Sequence, residues 1–318
     1  MSRDRDRRSG GYDADFDPNR RKWRPVEVNT TPLAQQQHFR YDSVDALLAL
    51  PIHPTNVGNT SAFLFKKDGV PKDHFMGDPE TWYGAKNSYD YADKVRTGDP
   101  KMASALKDTR VELGDLPKIA SIQRKRVWAE DGEDFDIERV YCGAYDKPWQ
   151  KFQMNLKAGS ARNVRLVVNT VASADKAGPA LRWRGAAACV LADVLEDAGY
   201  QVEIVMCEYV RNLKRGEYNN NHYLFEVPVK KYGEPVNLAH LAATVATQSA
   251  LRVAMFHANL ASVPDCNEGL GNCVNEVPPE PLMAPSDIWV DAIFCKKDAV
   301  ECLQYTIDKF VRGPKKED

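Results

Sequence analysis

The side chains best placed for chemistry follow a strongly apolar stretch at 163–169, which is typical of a buried strand. In open parallel sheets, ligands bind at the carboxyl ends of the strands. The loop and helix after this strand supply the candidate partner-binding or anion-binding residues, which are Asn169, Thr170, Ser173, Asp175, Arg182, Trp183 and Arg184. Two arginines at a helix start oppose the helix dipole, which indicates an acidic partner or a bound anion. The alternative is that both are solvated or pair with the acidic 265–287 segment.

A second candidate is a basic arm at the start of the chain. Its cations surround one aromatic ring and can neutralise phosphates while the ring stacks on a base. These nucleic-acid-binding candidates are Arg20, Arg21, Lys22, Trp23 and Arg24. Eight cations and five aspartates leave residues 1–25 with a net charge of +3. Such mixed charge favours a protein-docking arm, with nucleic-acid binding as the alternative.

A carboxylate cluster is the one nuclease-like feature of the chain. It consists of Glu130, Asp131, Glu133, Asp134, Asp136 and Glu138. Clustered carboxylates can hold Mg²⁺ for phosphoryl transfer, but an acidic turn that points into water serves solubility equally well. No glycine-rich dinucleotide loop follows the first strand, and no P-loop or nucleophile-elbow motif occurs. We therefore expect no catalytic residue, no metal and no cofactor.

The second half of the chain alternates between strand and helix patterns. Apolar runs at 163–169 and 201–210 flank a long amphipathic helix at about 180–198, as in a right-handed βαβ unit. The same pattern predicts, in order, an edge strand at 222–230 marked by Pro228, a helix capped by Asn237, a helix at 249–257, a strand within 286–294 and a helix from Asp298.

The first half is shorter in its elements and mixed in type. It predicts a helix capped by Asp42 or Ser43, a strand at 63–65, a helix at 88–97, a helix start at Asp99-Pro100 and a hairpin at 124–141 that turns at Asp131-Gly132. We therefore expect an α/β fold over 155–313 with a mainly parallel sheet and helices on both faces. A smaller α+β domain at 38–150 and a disordered arm at 1–37 precede it.

The element order from about 160 to 312 resembles a von Willebrand factor type A-like (vWA-like) or Rossmann-like fold. The vWA family binds a divalent metal through an Asp-x-Ser-x-Ser motif after its first strand. Here Asn169, Val171 and Ser173 occupy those positions, so the resemblance implies a degenerate site that holds a hard cation poorly. Residues 80–99 and 181–200 are also similar to an uncharacterised family of tailed bacteriophages and prophage-like regions, which implies a mobile-element origin and no mechanism.

Charge and hydropathy exclude some classes of protein. Lys plus Arg total 43 and Asp plus Glu total 45, so no global field attracts nucleic acid. The longest uncharged stretch, 235–251, has 17 residues, six of them polar, and is too short to cross a bilayer. The start lacks the apolar run of a signal peptide, and seven cysteines without a CxxC pair indicate reduced thiols. We expect a cytoplasmic protein, or one of the host cytoplasm or virion if a phage encodes it.

These observations favour a non-enzymatic interaction or assembly protein. It would present the carboxyl edge of its sheet to another protein or to another copy of itself. The first alternative is a nucleic-acid-binding protein that uses the basic arm. A metal-dependent phosphoesterase is the least favoured hypothesis.

Overall fold

A computed structural model describes the chain over residues 36–57, 64, 66, 72–74, 79–113, 125–130, 134–143, 145–153, 162–173, 176, 178–214, 221–266, 272–273 and 276–312. The elements, in chain order, are β1 (Gln36–Arg40), α1 (Val44–Leu48), a 3-10 turn (Pro54–Asn56), α2 (Pro79–Trp82), α3 (Ser88–Thr97), α4 (Pro100–Glu112), β2 (Lys125–Ala129), β3 (Asp134–Phe135), α5 (Ile137–Tyr141), β4 (Trp149–Gln153), β5 (Arg162–Asn169), α6 (Gly178–Asp197), β6 (Tyr200–Arg211), β7 (His222–Lys230), α7 (Leu238–Thr244), a π-helix (Ala250–Met255), α8 (Phe256–Ser262), β8 (Asn272–Cys273), β9 (Ile288–Val290), α9 (Lys296–Thr306) and a second π-helix (Ile307–Arg312).

The main sheet has the strand order β1-β7-β6-β5-β9, and the short β8 pairs with β6. Strand β5 runs parallel to β6 and β9, and β1 runs parallel to β7, whereas β6 and β7 are antiparallel. The predicted βαβ unit is confirmed, with Leu166 opposite Ile204 in the register of β5 and β6. The α/β class with mainly parallel pairing is therefore confirmed.

Helix α6 forms where the sequence predicts its longest helix, and it packs on β5 and β6. Its buried residues surround much of the helix, because α4, α7 and α9 also contact it. Gly185 permits this close packing, since a Cβ atom there would lie 2.6 Å from the Cβ of Ala246. The core therefore lies between the sheet and α6, with small residues where elements approach closely.

The predicted helices cover one face of the sheet in the described part of the chain. Helix α6 contacts α4, α7 and α9, and α3 contacts α7 and α1, so these helices form one layer. On the opposite face, Tyr209 and Leu224 pack with Leu282 and Met283 of an irregular segment. A strand that is buried on both sides has a continuous apolar sequence, whether a helix or an irregular segment covers it. That is why the sequence pattern suggested helices on both faces.

Several elements of the first half pack with those of the second, whereas β2, β3 and β4 form a separate three-stranded sheet. Strand β1 pairs with β7 in the main sheet, and α4 packs on α6 and α7. Residues from Pro32 to Asp318 form one compact unit. Three predicted helix boundaries in the first half are confirmed, since Ser43 caps α1, Gly98 follows α3 and Asp99 caps α4. The sequence pattern did not reveal β1, because Phe39 is its one apolar residue.

The predicted hairpin at 124–141 is wrong. Strands β2 and β3 do not pair with each other, because each pairs antiparallel with β4 in the order β2-β4-β3. The sequence pattern missed β4 as the central strand. The final helix also begins earlier than predicted, at Lys296 with Cys295 as its N-cap. Of the strand predicted at 63–65, only Leu64 lies within the described residues.

Pro228 lies in the part of β7 that is not paired with the described β1. Strand β1 ends with Arg40 opposite Glu226, so the described β1 pairing stops before Pro228. On the other side, the register with β6 shifts between Ile204 and Val205, and Pro228 lies opposite Val205. Strand β7 is thus internal at its start and an edge strand at its end, as proline requires.

Candidate functional site

The carboxyl end of β5, which the sequence predicts as the partner site, is buried against neighbouring elements of the fold. Asn169 and Thr170 are fully buried. The Thr170 backbone N–H and its Oγ1 both donate to the Cys207 carbonyl, at 2.8 and 2.7 Å. Asn169 Oδ1 accepts from the Val171 N–H at 3.1 Å. These contacts fix the end of the strand and leave both side chains inaccessible to a partner.

Arg184 is a buried brace and not a surface anion-binding group. Its Nε donates to the Val245 carbonyl at 2.7 Å, and its Nη1 donates to the carbonyls of Asn169 at 3.2 Å and Val171 at 3.5 Å. Burial lowers the pKa of this guanidinium to about 10. Because α6 begins at Gly178, Arg184 lies in the second turn and faces inward, which removes the helix-dipole argument for an anion.

A second arginine, which sequence reasoning missed, holds the same loop from inside. Arg252 is buried, and its Nη2 donates to the carbonyls of Ser173 and Lys176, each at 3.0 Å. Its Nη1 donates to the Trp82 carbonyl, and its guanidinium stacks 3.9 Å from the Trp82 ring centroid. One arginine within the apolar run at 250–255 was the available signal, since a buried charge needs polar partners.

The other predicted site residues that the structure describes are not buried. Ser173 is exposed, while Arg182 and Trp183 are half-buried on α6. Asp175 lies outside the described residues, as do all five residues of the basic arm, Arg20, Arg21, Lys22, Trp23 and Arg24. The structure thus brings Asn169, Thr170 and Arg184 together as a structural lock.

A belt of charged side chains crosses the opposite face of the sheet, and we call it the charged belt. Its members are His38 and Arg40 on β1, Arg165 on β5, Glu203 on β6, Glu226 on β7 and Asp287 just before β9. Arg165 contacts all three carboxylates, with Nη1 at 2.9 Å from Asp287 and Nε at 3.3 Å from Glu203. Charged residues within three largely apolar strands, Arg165 in β5, Glu203 in β6 and Glu226 in β7, were the readable signal.

The belt also ties the edge strand β1 to the sheet. Arg40 Nη2 lies 2.7 Å from Glu203, its Nη1 lies 3.3 Å from Glu226, and His38 Nε2 lies 3.0 Å from Glu226. Burial would raise the pKa of Glu226, but hydrogen bonding from His38 and the charge of Arg165 hold it below the ordinary value. Burial raises the pKa of Asp287 despite Arg165. Each carboxylate has a guanidinium partner, so the belt acts as an internal lock.

A tyrosine–histidine pair at the far end of this face could relay a proton. The Tyr209 hydroxyl is hydrogen-bonded to His222 Nδ1, and the two rings stack with centroids 5.8 Å apart. Burial lowers the pKa of His222, which favours the neutral ring. Nearby, Arg211 pairs with Glu276. This arrangement lacks a neighbouring nucleophile or metal ligand set in the described residues, and it carries no assigned reaction.

One surface in the described chain concentrates exposed apolar side chains, and we call it the aromatic surface. It comprises Phe135, Ile137, Tyr141 and Tyr145, whose exposed fractions are 48%, 55%, 83% and 72%. Ile137 and Tyr141 are four residues apart on α5, so they share one helix face. None of the residues of α5 is buried. The helix therefore contributes its side chains to the surface and not to a core.

Local contacts hold the aromatic surface in place. Asp136 caps α5, because its Oδ1 accepts from the N–H groups of Glu138 at 3.0 Å and Arg139 at 3.1 Å. Its own N–H donates to the Pro148 carbonyl at 2.9 Å. The rings of Phe135 and Trp149 pack with centroids 4.8 Å apart across the β3–β4 pair. These contacts fix the position of α5 and of the Phe135 ring.

The predicted carboxylate cluster is divided by this geometry. Asp136 is a helix cap, Glu138 is exposed on α5, and Asp131 and Glu133 lie outside the described residues. Within the described chain, no group of three or more His, Cys, Asp or Glu side chains is arranged to hold a metal ion. No helix among those residues is long and apolar enough to cross a membrane.

Comparisons with known proteins identify one relationship. A family model described as a domain of unknown function, DUF7192, matches residues 41–313. A search of curated proteins and a search of solved structures each found no match. The matched range includes both the structural lock at the end of β5 and the aromatic surface.

Proposed function

Because the chain belongs to the DUF7192 family, whose description assigns no activity, we propose its function from its surfaces: it is a non-enzymatic protein-interaction or assembly protein. The partner binds the aromatic surface, and the sheet with its helical layer is the scaffold. The observation that carries the proposal is that four large apolar side chains are exposed within eleven residues of chain, Phe135 to Tyr145.

Exposed side chains of this kind gain free energy when a partner covers them. Fully burying one large apolar side chain contributes roughly 1.5–3 kcal/mol. Tyrosine is enriched among the residues that dominate binding energy, because it buries a large area with few rotatable bonds. Tyr141 and Tyr145 are the two most exposed members of the surface. They are therefore the expected anchors of the interface.

The vWA-like fold remains part of this proposal. The strand order β7-β6-β5-β9, with only β7 antiparallel within that set, supports it. In such a scaffold, Asn169 and Val171 replace an acidic and a hydroxyl ligand, which favours binding that needs no metal. The proposed partner site moves away from the carboxyl edge, because Asn169, Thr170 and Arg184 are buried there. A phage origin is consistent with an assembly role and stays a prediction.

The test replaces the two anchors and leaves the scaffold intact. In the full chain, the Tyr141→Ser/Tyr145→Ser double variant should lose partner capture and concentration-dependent self-association by at least about tenfold. Chemical cross-linking with mass spectrometry and size-exclusion chromatography with light scattering measure these two properties. The matched control is Tyr89→Ser/Val111→Ser, which removes two exposed apolar side chains from α3 and α4.

Two results would overturn the proposal. One is an unchanged set and amount of cross-linked partners in the Tyr141→Ser/Tyr145→Ser variant. The other is a salt-sensitive affinity for DNA or RNA that deletion of residues 1–25 removes, which would favour the nucleic-acid alternative.

A further inference from the structure

We infer that the aromatic surface fits a protein partner that carries arginine or lysine side chains around an apolar centre. This inference rests on the proposed function and adds the chemistry of the partner. It depends on the charged side chains next to the aromatic surface and on which of them already have a partner within the chain.

The charged side chains described next to the aromatic surface include more carboxylates than cations. Within 135–147 the carboxylates are Asp136, Glu138 and Asp146, and the cations are Arg139 and Lys147. Arg139 is already engaged, since its guanidinium lies 4.0 Å from the Trp128 ring centroid. Glu138 and Asp146 are exposed beside the two tyrosines. Asp136 is engaged as the cap of α5, so two exposed carboxylates remain against one exposed cation, Lys147. The described border therefore has a small net negative charge where a partner would make its polar contacts.

Complementary charge selects the class of partner. A cation on the partner can pair with Glu138 or Asp146 and can also lie over the face of Tyr141 or Tyr145. An acidic protein, a phosphate backbone or an anionic membrane would instead bring negative charge against these carboxylates. A purely apolar partner would remove the water that hydrates these carboxylates and would offer no hydrogen-bond donor in its place. A basic, apolar protein segment satisfies both the rings and the charges.

The chain itself contains the contact that we assign to the partner. Arg139 stacks on Trp128 and Arg252 stacks on Trp82, at 4.0 and 3.9 Å from the ring centroids. In both cases, a guanidinium covers an aromatic face. Tyr141 and Tyr145 present equivalent rings to the exterior.

The experiment uses two designed probe peptides and the full chain. Both are amphipathic helices with leucines at the same positions, and their polar positions are filled with arginine in one and with glutamate in the other. Fluorescence polarisation at low and high salt measures their binding. The wild-type chain should bind the arginine peptide at least about tenfold more tightly, and salt should reduce that preference.

Charge-reversal variants test the cause of the preference. Glu138→Lys/Asp146→Lys should invert it, whereas the matched control Asp108→Lys/Glu112→Lys, which reverses two exposed carboxylates on α4, should leave it unchanged. Circular dichroism and thermal unfolding verify that each variant is folded. Asp136 is left unchanged because it caps α5.

The outcomes separate this inference from the proposed function. If Tyr141→Ser/Tyr145→Ser abolishes partner capture but the reversal leaves peptide preference unchanged, the basic partner is wrong and the interaction role stands. If neither peptide binds the wild-type chain, the inference also fails. Self-association at this surface that withstands Glu138→Lys/Asp146→Lys would identify a second copy as the occupant and would overturn the inference as well.

Discussion

The charged belt and the aromatic surface differ in which kind of side chain is paired inside the fold and which is exposed. In the belt, six charged groups from five neighbouring segments of the sheet are paired with one another, although charged groups are ordinarily the exposed ones. In the aromatic surface, large apolar groups that ordinarily lie inside are exposed. The belt therefore explains how the sheet is held together, and the aromatic surface is the site that we propose for a partner.

Like the belt, the loop at the end of β5 is held by buried polar groups, here Arg184 and Arg252, which we call the arginine lock. Arg184 and Arg252 donate to main-chain carbonyls of the 169–176 loop from inside the fold. At the site that the sequence favoured for binding, Asn169, Thr170 and Arg184 are therefore buried. The comparison predicts large stability effects in the closed regions and almost none at the aromatic surface.

The largest expected effect is on the arginine lock. Arg184→Met should lower the free energy of unfolding by about 3 kcal/mol, because the carbonyls of Asn169 and Val245 lose their buried donor. Urea unfolding followed by circular dichroism measures it. Arg182→Met, on the half-buried side of the same helix turn, should change stability by no more than about 0.5 kcal/mol. Equal small effects would show that the loop is not held by Arg184.

A smaller effect is expected in the belt, and it should depend on pH. Glu226→Gln should lower the free energy of unfolding by about 2 kcal/mol at neutral pH, since the guanidinium groups of Arg40 and Arg165 lose a charged partner. The pKa of Glu226 is lowered in the folded state. Its ionisation therefore stabilises the fold above the unfolded glutamate value of about 4.3. That stability is lost as pH falls through the folded value.

Urea midpoints at neutral and acidic pH test this dependence. The difference between the wild-type chain and Glu226→Gln should shrink towards zero in acid. Asp287 acts with the opposite sign, because its raised pKa makes its ionisation unfavourable as pH rises. Both proteins contain Asp287, so its effect largely cancels in the difference. A gap that stays constant down to acidic pH would mean that Glu226 contributes no charge pairing.

The smallest effect on stability is expected at the aromatic surface. Tyr141→Ser/Tyr145→Ser should change the free energy of unfolding by less than about 1 kcal/mol, because both rings are largely exposed and α5 buries no residue. Thermal and urea unfolding of the unpartnered chain measure it. A loss of several kcal/mol would show that these rings support the fold, and the contrast with the belt would disappear.

Local sequence signals predicted the helices better than the strands. Ser43, Asn237 and Asp99 cap the helices that the sequence predicts, because capping is settled by a few neighbouring residues. The hairpin failed for the opposite reason. Strands β2 and β3 lie close in sequence, yet both pair with the later β4, and the partner of a strand is chosen by contacts beyond the local pattern.

The candidate site shows the same division. The sequence placed Arg184 near Asn169 correctly, but its pattern could not distinguish an inward brace from an outward anion site. Tyr141 and Tyr145 carried no motif, because exposure is not encoded in residue type. Arg252 and the belt were readable only as isolated charges in apolar runs, with their partners up to 186 residues away along the chain.

The sequence by itself determined the βαβ unit, the long helix α6 and the helix caps, since periodicity and capping act over a few turns of chain. Only the tertiary structure decided which strands pair, which face the helices cover and which polar groups meet. Those outcomes depend on contacts between distant segments, where burial makes each unpaired charge costly. For the same reason, only the folded chain reveals that the 135–145 segment leaves its apolar side chains exposed.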